Sequence, residues 1–374
     1  MKIAVNTRLL LKNRLEGIGQ FTYENLRRIT RQHPEHQFFF LFDRKFDESF
    51  VFSDNVTPVV AHPQARHPYL WYLFFECGIP FQLRKIKPDL FLSTDGWIPT
   101  GLKIPVVNVI HDLNFLHHPE FVPPVVRRYY DRFFPKFARN ATRLATVSEF
   151  SRQDIAKSFQ VPTDKIDLVF SGSNSAYKPF DKEQQTAVKQ RFTDGQKFFL
   201  FVGLIHKRKN LDNIFRAFDL FKDSRSDSTK LVVVGDKKWW AGEIEDTYLQ
   251  MRHREDVIML GRQPLDVVCE LTASTLGVLY ASLFEGFGLP IVDAFNAHVP
   301  VITSNVSAMP EIAGDAALIV DPYQPQDIAE AMRALRQDDE LRNRLIENGK
   351  ARQNLFTWDR TAELLWATIE KTLP

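Results

Sequence analysis

Two carboxylates eight positions apart, Glu285 and Asp293, frame the stretch of this chain that is best suited to chemistry. Between them lie two glycines and a proline, in the order Gly286-Phe287-Gly288-Leu289-Pro290. Apolar residues upstream predict a buried strand, and Pro290 is typical of a first helical turn, where its missing N–H is not needed. A glycine turn between strand and helix leaves backbone N–H groups unpaired, which suits an anionic or polyhydroxylated ligand. The two acids could hold hydroxyl groups or form an acid/base pair.

A second motif follows the apolar segment Phe198–Val202, which predicts a strand ending at Gly203. The cations Lys207-Arg208-Lys209 come next, directly before a helix predicted to begin at Asn210, a good N-cap residue. The helix dipole disfavours cations at that end unless an anion binds there. A forked Arg beside a point-charge Lys is the usual pair for a diphosphate. The motif therefore predicts phosphate binding in the second half of the chain.

The first half has a weaker glycine motif, Gly17-Ile18-Gly19, about ten residues after the first predicted strand. A dinucleotide-binding turn would follow the strand closely and carry a third glycine, so a nicotinamide dehydrogenase is disfavoured. Gly17 and Gly19 instead predict a flexible loop that opens onto a helix from Gln20. Such a loop could approach a phosphate or a sugar, or could be a helix entry with no ligand.

Strand and helix patterns alternate along the whole chain, which predicts parallel α/β sheets. The pattern runs through the first half, stops over residues 171–191 and restarts, so 374 residues predict two domains. The predicted strands are Ile3–Asn6, Phe38–Phe42, Leu90–Ser93, Val106–Ile110 and Arg143–Val147, then Phe198–Val202, Lys230–Val234, Val257–Leu260, Leu276–Tyr280, Pro300–Thr303 and Ala317–Val320. Apolar residues at helical spacing predict a tail helix from Trp358.

Composition excludes several classes of protein. The 44% hydrophobic and 25% charged fractions are those of an ordinary globular protein. Cys77 and Cys269 are far apart, which favours core thiols in a reducing cytoplasm over a disulfide framework. No signal sequence or membrane-spanning run is expected. The histidines and acid of the segment 111–118 match no standard ligand spacing, so no metal site is predicted.

The charge is unevenly distributed. Residues 1–178 contain 24 Lys and Arg against 17 Asp and Glu, whereas residues 179–374 contain 24 against 29. Two segments of the basic half, 69–87 and 127–136, combine aromatic with basic residues. They could contact an anionic membrane surface or pack in the core, and both interpretations stay open. No nucleic-acid-binding motif is present, so nucleic acid is not an expected partner.

Several motifs together resemble family 4 of the retaining glycosyltransferases, which have the GT-B fold. The resemblance covers nearly the whole chain. The matching segments are Gly17-Ile18-Gly19, His111-Asp112, Val147-Ser148-Glu149-Phe150-Ser151, Val202-Gly203, Arg208-Lys209-Asn210-Leu211, Val233-Val234-Gly235-Asp236, Leu260-Gly261, Ser282–Pro290, Thr303-Ser304-Asn305, Pro310-Glu311 and Val320-Asp321-Pro322.

The resemblance implies a fold of two Rossmann-like parallel-sheet domains that face a cleft. Residues 1–178 would bind the acceptor and 179–357 the nucleotide-sugar donor, with a C-terminal helix, 358–374, returning to the first domain. Arg208 and Lys209 would bind the donor diphosphate, and Glu285 would hold sugar hydroxyls. Asp293 stands where the family has a Glu that contacts the ribose. The Asp side chain is one methylene shorter than that Glu. The donor-binding residues would further include Gly17, Gly19, Gly203, Gly286, Phe287, Gly288 and Leu289, with His111 near the transferring centre.

The implied activity is metal-independent hexose transfer with retention, without a cofactor, from a nucleotide-diphosphate sugar to a saccharide or lipid-linked saccharide in cell-surface polysaccharide synthesis. The motif variants are most similar to bacterial mannosyltransferases, so GDP-mannose is the preferred donor and a UDP-glucose-type donor the alternative. Three alternative functions remain open: a nucleotide-sugar epimerase, a phosphorylase and a non-catalytic nucleotide-sugar-binding protein. A cytoplasmic enzyme is expected, with contact to the inner face of the membrane left open.

Overall fold

The computed structural model describes residues 1–12, 15, 17–223, 228–236, 240 and 242–373. The chain divides into two compact units, Met1–Gly172 with Thr357–Pro374, and Ser173–Phe356. Pro374, the last residue of the predicted tail segment, lies outside the described residues. Each unit contains one parallel sheet with helices, so the predicted α/β class with two Rossmann-like domains is confirmed.

The first unit is built on a seven-stranded sheet. Its strands are β1 Lys2–Asn6, β2 Gln37–Phe42, β3 Val56–Val60, β4 Leu90–Ser93, β5 Val106–Val109, β6 Arg143–Thr146 and β7 Ile166–Leu168. The order in the sheet is β3-β2-β1-β4-β5-β6-β7. All neighbours pair in parallel. The order reverses between β1 and β4, and open α/β sheets bind ligands at the carboxyl ends of the strands at such a point.

The helices of this unit correct one prediction. They are α1 Gly17–Gln32, α2 Pro68–Leu73, α3 Ile79–Ile86, α4 Asn114–His117, α5 Pro124–Asn140 and α6 Glu149–Phe159. The prediction of a flexible loop at Gly17–Gly19 is wrong, because both glycines already belong to α1. A Cβ on Gly19 would lie 2.9 Å from the carbonyl oxygen of Leu9. This glycine therefore lets the helix pack closely on the preceding segment.

The second unit is built on a six-stranded parallel sheet. Its strands are β8 Phe198–Val202, β9 Lys230–Val234, β10 Val257–Gly261, β11 Gly277–Tyr280, β12 Val301–Ser304 and β13 Ala317–Val320. The order is β10-β9-β8-β11-β12-β13, with the reversal between β8 and β11. Its helices are α7 Lys182–Thr193, α8 Leu211–Asp223, α9 Glu243–Gln250, α10 Leu265–Ser274, α11 Leu289–Asn296, α12 Met309–Ala313, α13 Pro325–Gln337 and α14 Asp339–Gln353.

The last helix, α15, spans Trp358–Glu370 and belongs to the first unit, as predicted. It packs against α1, where the rings of Phe21 and Trp358 meet edge-on with centroids 6.2 Å apart. Arg28 Nε donates to the Asp359 carboxylate at 2.5 Å across the same pair of helices. Among the described residues, no helix has both the length and the apolar composition needed to cross a membrane.

Candidate active site

The cation motif and the glycine turn meet at the reversal point of the second sheet. Strands β8 and β11 are parallel neighbours, so the segments that follow them leave the same edge of the sheet. The first segment contains a single 3₁₀ turn, Lys207–Lys209. The second is the loop 281–288, whose Leu283 N–H donates to the carbonyl of Arg208 at 2.8 Å. Two motifs that are far apart in sequence therefore lie side by side.

Asn210 fastens these segments together. It adopts the left-handed conformation, with φ 59°. Its side-chain amide donates to the carbonyl oxygens of Ala281 at 2.9 Å and Pro322 at 2.7 Å. Asn210 directly precedes α8, which begins at Leu211, so the predicted N-cap position agrees with the structure. Its side-chain amide additionally holds the segments that follow β11 and β13. This buried bond fixes the position of the two cations that precede it.

Arg208, Lys209 and Glu285 form a compact ionic cluster. Lys209 Nζ lies 2.6 Å from Glu285 Oε1 and donates to the Tyr280 hydroxyl at 3.1 Å. Arg208 Nη1 contacts Glu285 Oε2 and also donates to the Phe284 carbonyl at 2.9 Å. The three charged side chains are between 10% and 26% exposed. Two cations are thus held in place around one buried carboxylate.

The cluster keeps Glu285 ionised. Burial by itself would raise the pKa of Glu285, but the nearby charges of Arg208 and Lys209 outweigh it and lower that pKa to about 2. Burial and the Glu285 charge raise the pKa of Tyr280 well above its ordinary value. At neutral pH the site therefore contains a carboxylate, two cations and a neutral phenol. Glu285 is unsuited to donate a proton, which excludes the acid of an acid/base pair.

The glycine turn between Glu285 and α11 is buried and requires its glycine. Gly288 has φ 122°, a conformation that side chains rarely adopt, and it immediately precedes α11. The ring of Phe287 packs edge-on against Phe356, with centroids 5.5 Å apart. The Glu285 N–H donates to Ser307 Oγ at 3.0 Å. The turn is therefore held from both sides, and the backbone next to Glu285 is fixed.

Asp293, one helical turn further, lies in different surroundings. Its Oδ1 accepts hydrogen bonds from the Ser173 hydroxyl at 2.7 Å and, more weakly, from the Asn174 N–H at 3.4 Å. Burial raises the pKa of Asp293 to about 7, against the opposing effect of these two hydrogen bonds. Among the described residues, Oδ2 has no hydrogen-bond partner. One carboxylate oxygen thus positions the side chain through the segment that begins the second unit.

In the first unit, His111 follows β5 and lies beside the helix that begins at Gly17. Its Nε2 donates to the carbonyl of Thr94 at 2.9 Å, which leaves Nδ1 unprotonated in the neutral ring. The ring meets Phe21 of α1 edge-on, with centroids 4.9 Å apart. Burial lowers the pKa of His111, although the Thr94 carbonyl and nearby acids oppose it. His111 is therefore a neutral imidazole next to the reversal point between β1 and β4.

Two family models match the chain, one in each half. Residues 15–176 match the model of Glycosyltransferase Family 4, and residues 182–352 match Glycosyl transferases group 1. The two matches together cover most of the chain, and the gap between them, residues 177–181, lies a few residues after the boundary between the two units. The chain belongs to glycosyltransferase family 4. The enzyme is therefore a transferase, and its two halves are the two parts of one glycosyltransferase.

Relatives of this glycosyltransferase extend the match over its whole length. It is 27% identical to O-antigen chain mannosyltransferase B of Escherichia coli over 93% of this chain and 94% of that protein. It is 22% identical to O-antigen chain mannosyltransferase RfbU of Salmonella typhimurium over 78% of each chain. The structure of HepE from Anabaena in complex with UDP-glucose superposes with a TM-score of 0.77 at 14% identity, over 99% of this chain and all of that one. This superposition confirms the GT-B fold.

The structure of this glycosyltransferase groups the predicted site residues into separate sets. Arg208, Lys209 and Glu285 are in direct contact, Asp293 is not hydrogen-bonded to them, and His111 belongs to the other unit. Among the other predicted donor residues, Gly17 and Gly19 lie in α1 of the first unit. The rest belong to the second unit: Gly203 after β8, Gly286, Phe287 and Gly288 in the turn, and Leu289 at the start of α11. Sequence reasoning missed Tyr280, Ser307 and Ser173.

Proposed function

We propose that this glycosyltransferase moves a hexose, with retention, from a nucleotide-diphosphate sugar to a hydroxyl of a saccharide or lipid-linked saccharide. The observation that carries the proposal is the cluster of Arg208 and Lys209 on Glu285 at the reversal point of the second sheet. The unit containing this cluster, Ser173–Phe356, would bind the donor, and the other unit would bind the acceptor.

Mannose from GDP-mannose is the proposed donor, with a role in cell-surface polysaccharide synthesis. Support comes from two relatives that are named O-antigen mannosyltransferases and that match 93% and 78% of this chain. The fold neighbour HepE holds UDP-glucose. The UDP-glucose alternative therefore remains the second outcome of the donor test.

In the proposed reaction the bond between the anomeric carbon and the diphosphate oxygen breaks, and the acceptor hydroxyl oxygen bonds to the same face of that carbon. The acceptor proton goes to the departing diphosphate. Arg208 and Lys209 stabilise the negative charge that develops on the leaving group, because fixed cations in a site of low exposure need no reorganisation. Glu285 accepts hydrogen bonds from sugar hydroxyls, and the neutral His111 contacts the sugar. This scheme uses neither a cofactor nor a metal ion, so activity should persist in EDTA.

Thermal-shift measurements with GDP-mannose, GDP-glucose and UDP-glucose test the donor assignment. A ligand at 100 times its dissociation constant stabilises the folded protein by about 2.7 kcal/mol, which corresponds to a shift of several degrees. GDP-mannose should give the largest shift and be slowly hydrolysed, with the α-anomer released first. A larger shift with UDP-glucose would support the alternative donor. A free sugar isomer as sole product would indicate an epimerase, and no shift with any donor would contradict the proposal.

Asp293 is proposed to contact the donor ribose through Oδ2, which gives a pH dependence. Because its pKa is raised to about 7, the carboxyl is mostly protonated at pH 6 and mostly ionised at pH 8. Ribose hydroxyls donate better to the ionised form, so donor affinity should increase about tenfold over this range. Calorimetry at several pH values should show this slope in the wild type and a flat profile in Asp293→Asn. An unchanged slope in Asp293→Asn would contradict the assignment.

We also propose that the first unit contacts an anionic membrane surface. Tyr69 and Phe81 are 74% and 53% exposed, and Lys85 Nζ lies 4.2 Å from the centre of the Phe81 ring. The rings of Tyr72 on α2 and Phe133 on α5 meet with centroids 5.8 Å apart, which joins the two aromatic–basic segments. Phe74 and Phe75 are buried, so only the exposed side chains of the segment 69–87 can contact lipid.

Binding to vesicles tests this membrane proposal. Lys85→Ala should weaken binding to phosphatidylglycerol vesicles about fivefold at low salt, since one surface cation contributes about 1 kcal/mol. Lys182→Ala, an exposed lysine of the other unit, is the matched control and should leave binding unchanged. Equal binding of wild type to neutral phosphatidylcholine vesicles would contradict the proposal.

A further inference from the structure

The turn between α1 and β2 brings together two imidazoles and a carboxylate. In the sequence His33-Pro34-Glu35-His36, one ligand atom from each of the three titratable residues lies within 4.8 Å of the other two. His36 Nε2 is 3.2 Å from Glu35 Oε1, and His33 Nδ1 is 3.6 Å from the same oxygen. The two histidines are 16% and 23% exposed, so their rings rest on protein while Glu35 faces solvent. This turn lies in the first unit and belongs to none of the sets described above.

Two of these three spacings, those from each imidazole to Glu35, match the spacing of ligands around one metal ion. Bonds of about 2.05 Å in a tetrahedral zinc site place neighbouring ligand atoms about 3.4 Å apart. The observed 3.2 and 3.6 Å bracket that value. Two neutral imidazoles with one carboxylate form a donor set that suits zinc, nickel and copper, whereas magnesium and calcium prefer oxygen ligands.

The turn is held in this conformation by residues outside it. Asn55 Nδ2 lies 3.0 Å from the carbonyls of Thr30 and His36 and 3.1 Å from that of His33. The His33 ring stacks on Trp366 of α15, with centroids 3.6 Å apart. Glu35 and His36 also line an open surface cavity of about 760 Å³, through which an ion can enter. The ligands are therefore largely positioned before any ion binds.

A second group of the same residue types shows what distinguishes this turn. His253, Glu255 and Asp256 also bring three ligand atoms within 4.8 Å. However, the Asp256 carboxylate is bound by Lys222 and Lys230. His253 Nε2 pairs with Asp223 at 3.1 Å. That group offers a single imidazole and a carboxylate already neutralised by two cations, so we expect it to bind a metal ion only weakly.

We propose that His33, Glu35 and His36 bind one divalent transition-metal ion of the zinc, nickel or copper class. Water completes the coordination, since three protein ligands leave at least one open position. The bound ion braces the corner between α1 and β2 against α15 through the stacked ring of Trp366. Its role is structural, since none of its three ligands is among the residues assigned to the donor, the sugar or the leaving group.

Calorimetric titration of the untagged, EDTA-treated full chain with zinc chloride tests the proposal. One ion per chain should bind with a dissociation constant below about 10 µM. His36→Ala and His33→Ala should each weaken binding at least about tenfold, as expected for the loss of one of three ligands. His253→Ala, in the second group, is the matched control and should bind zinc like the wild type. Copper should quench the fluorescence of Trp366, so that Trp366→Phe loses the quenching that the wild type shows.

The same experiment can overturn the site. Zinc affinity unchanged in both His33→Ala and His36→Ala, or a wild-type dissociation constant above about 1 mM, would refute it. Weakening by His253→Ala alone would move the site to the second group. Circular dichroism of each variant establishes that its fold is retained, and Glu35→Gln, an exposed substitution, provides an independent loss of one ligand. The thermal shift with GDP-mannose in EDTA should stay unchanged, which separates this proposal from the donor assignment.

Discussion

Lys209→Ala is expected to raise the dissociation constant of GDP-mannose at least tenfold, a loss of about 1.4 kcal/mol. The Lys209 ammonium is 12% exposed and lies between Glu285 and the Tyr280 hydroxyl. Removing it leaves the Glu285 carboxylate with Arg208 as its remaining cation in the cluster, and a bound diphosphate would add negative charge beside that carboxylate. The cost therefore includes both a lost phosphate contact and an uncompensated repulsion. Isothermal titration with GDP-mannose measures the effect.

Lys207→Ala is the matched control for this experiment. Lys207 belongs to the same 3₁₀ turn, but its side chain is 59% exposed and its Nζ lies 3.3 Å from Glu243, away from the cluster. Its removal should change the donor affinity less than about twofold, as expected for an exposed pair. Donor affinity that is the same in Lys209→Ala as in the wild type would contradict phosphate binding at this turn. Equal losses in both variants would indicate a general attraction between charges instead of a defined site.

Glu285→Gln is expected to reduce turnover at least about 100-fold, equivalent to about 2.7 kcal/mol, with donor affinity close to that of the wild type. A carboxylate has about four lone-pair positions, so it can keep its bonds to Arg208 and Lys209 and still accept from sugar hydroxyls. Hydrogen bonds to a charged acceptor are about twice as strong as neutral ones. The amide keeps the shape of the side chain but loses that charge. Initial rates of donor hydrolysis and transfer at saturating donor measure the change.

Two further substitutions help to interpret this result. Glu243→Gln removes an exposed carboxylate that pairs with Lys207 and Arg216, and it should leave turnover unchanged. His111→Asn should also lower turnover while donor affinity stays within about twofold, if the neutral imidazole acts on the sugar. Full activity of Glu285→Gln would refute its proposed role. A large loss of donor affinity without a loss of turnover would instead make Glu285 a nucleotide-binding residue.

Most of the strands could be predicted from the sequence, because a strand that is buried on both faces of its sheet consists of consecutive apolar residues. Two strands were not predicted. β3 contains Pro58, which an edge strand tolerates and which argues against a strand on sequence alone. β7 is three residues long and includes Asp167, whose carboxylate pairs with Arg143. Both lie at the edges of the first sheet, where the hydrophobic pattern is weakest.

The individual motifs of the site could be predicted from the sequence, but the contacts between their side chains could not. The residue types of Arg208, Lys209 and Glu285 indicated phosphate and hydroxyl binding, yet the Lys209–Glu285 contact joins residues 76 positions apart. That contact depends on β8 and β11 being neighbours, which one sequence does not reveal. Ser173 and Ser307 were missed for a related reason, since a single hydroxyl in a loop carries no signal until the fold places it against Asp293 or the Glu285 N–H.

The bonding of both cations to Glu285 means that the proposed donor site carries its own counterion. Arg208, Lys209 and Glu285 together present one net positive charge, where the two cations alone would present two. A small anion such as chloride or inorganic phosphate therefore meets competition from a carboxylate that is already in place and only 10% exposed. A nucleotide-diphosphate sugar carries two negative charges together with hydroxyls that can donate hydrogen bonds to Glu285. We therefore expect the internal counterion to make the site selective for the substrate that engages all three groups at once.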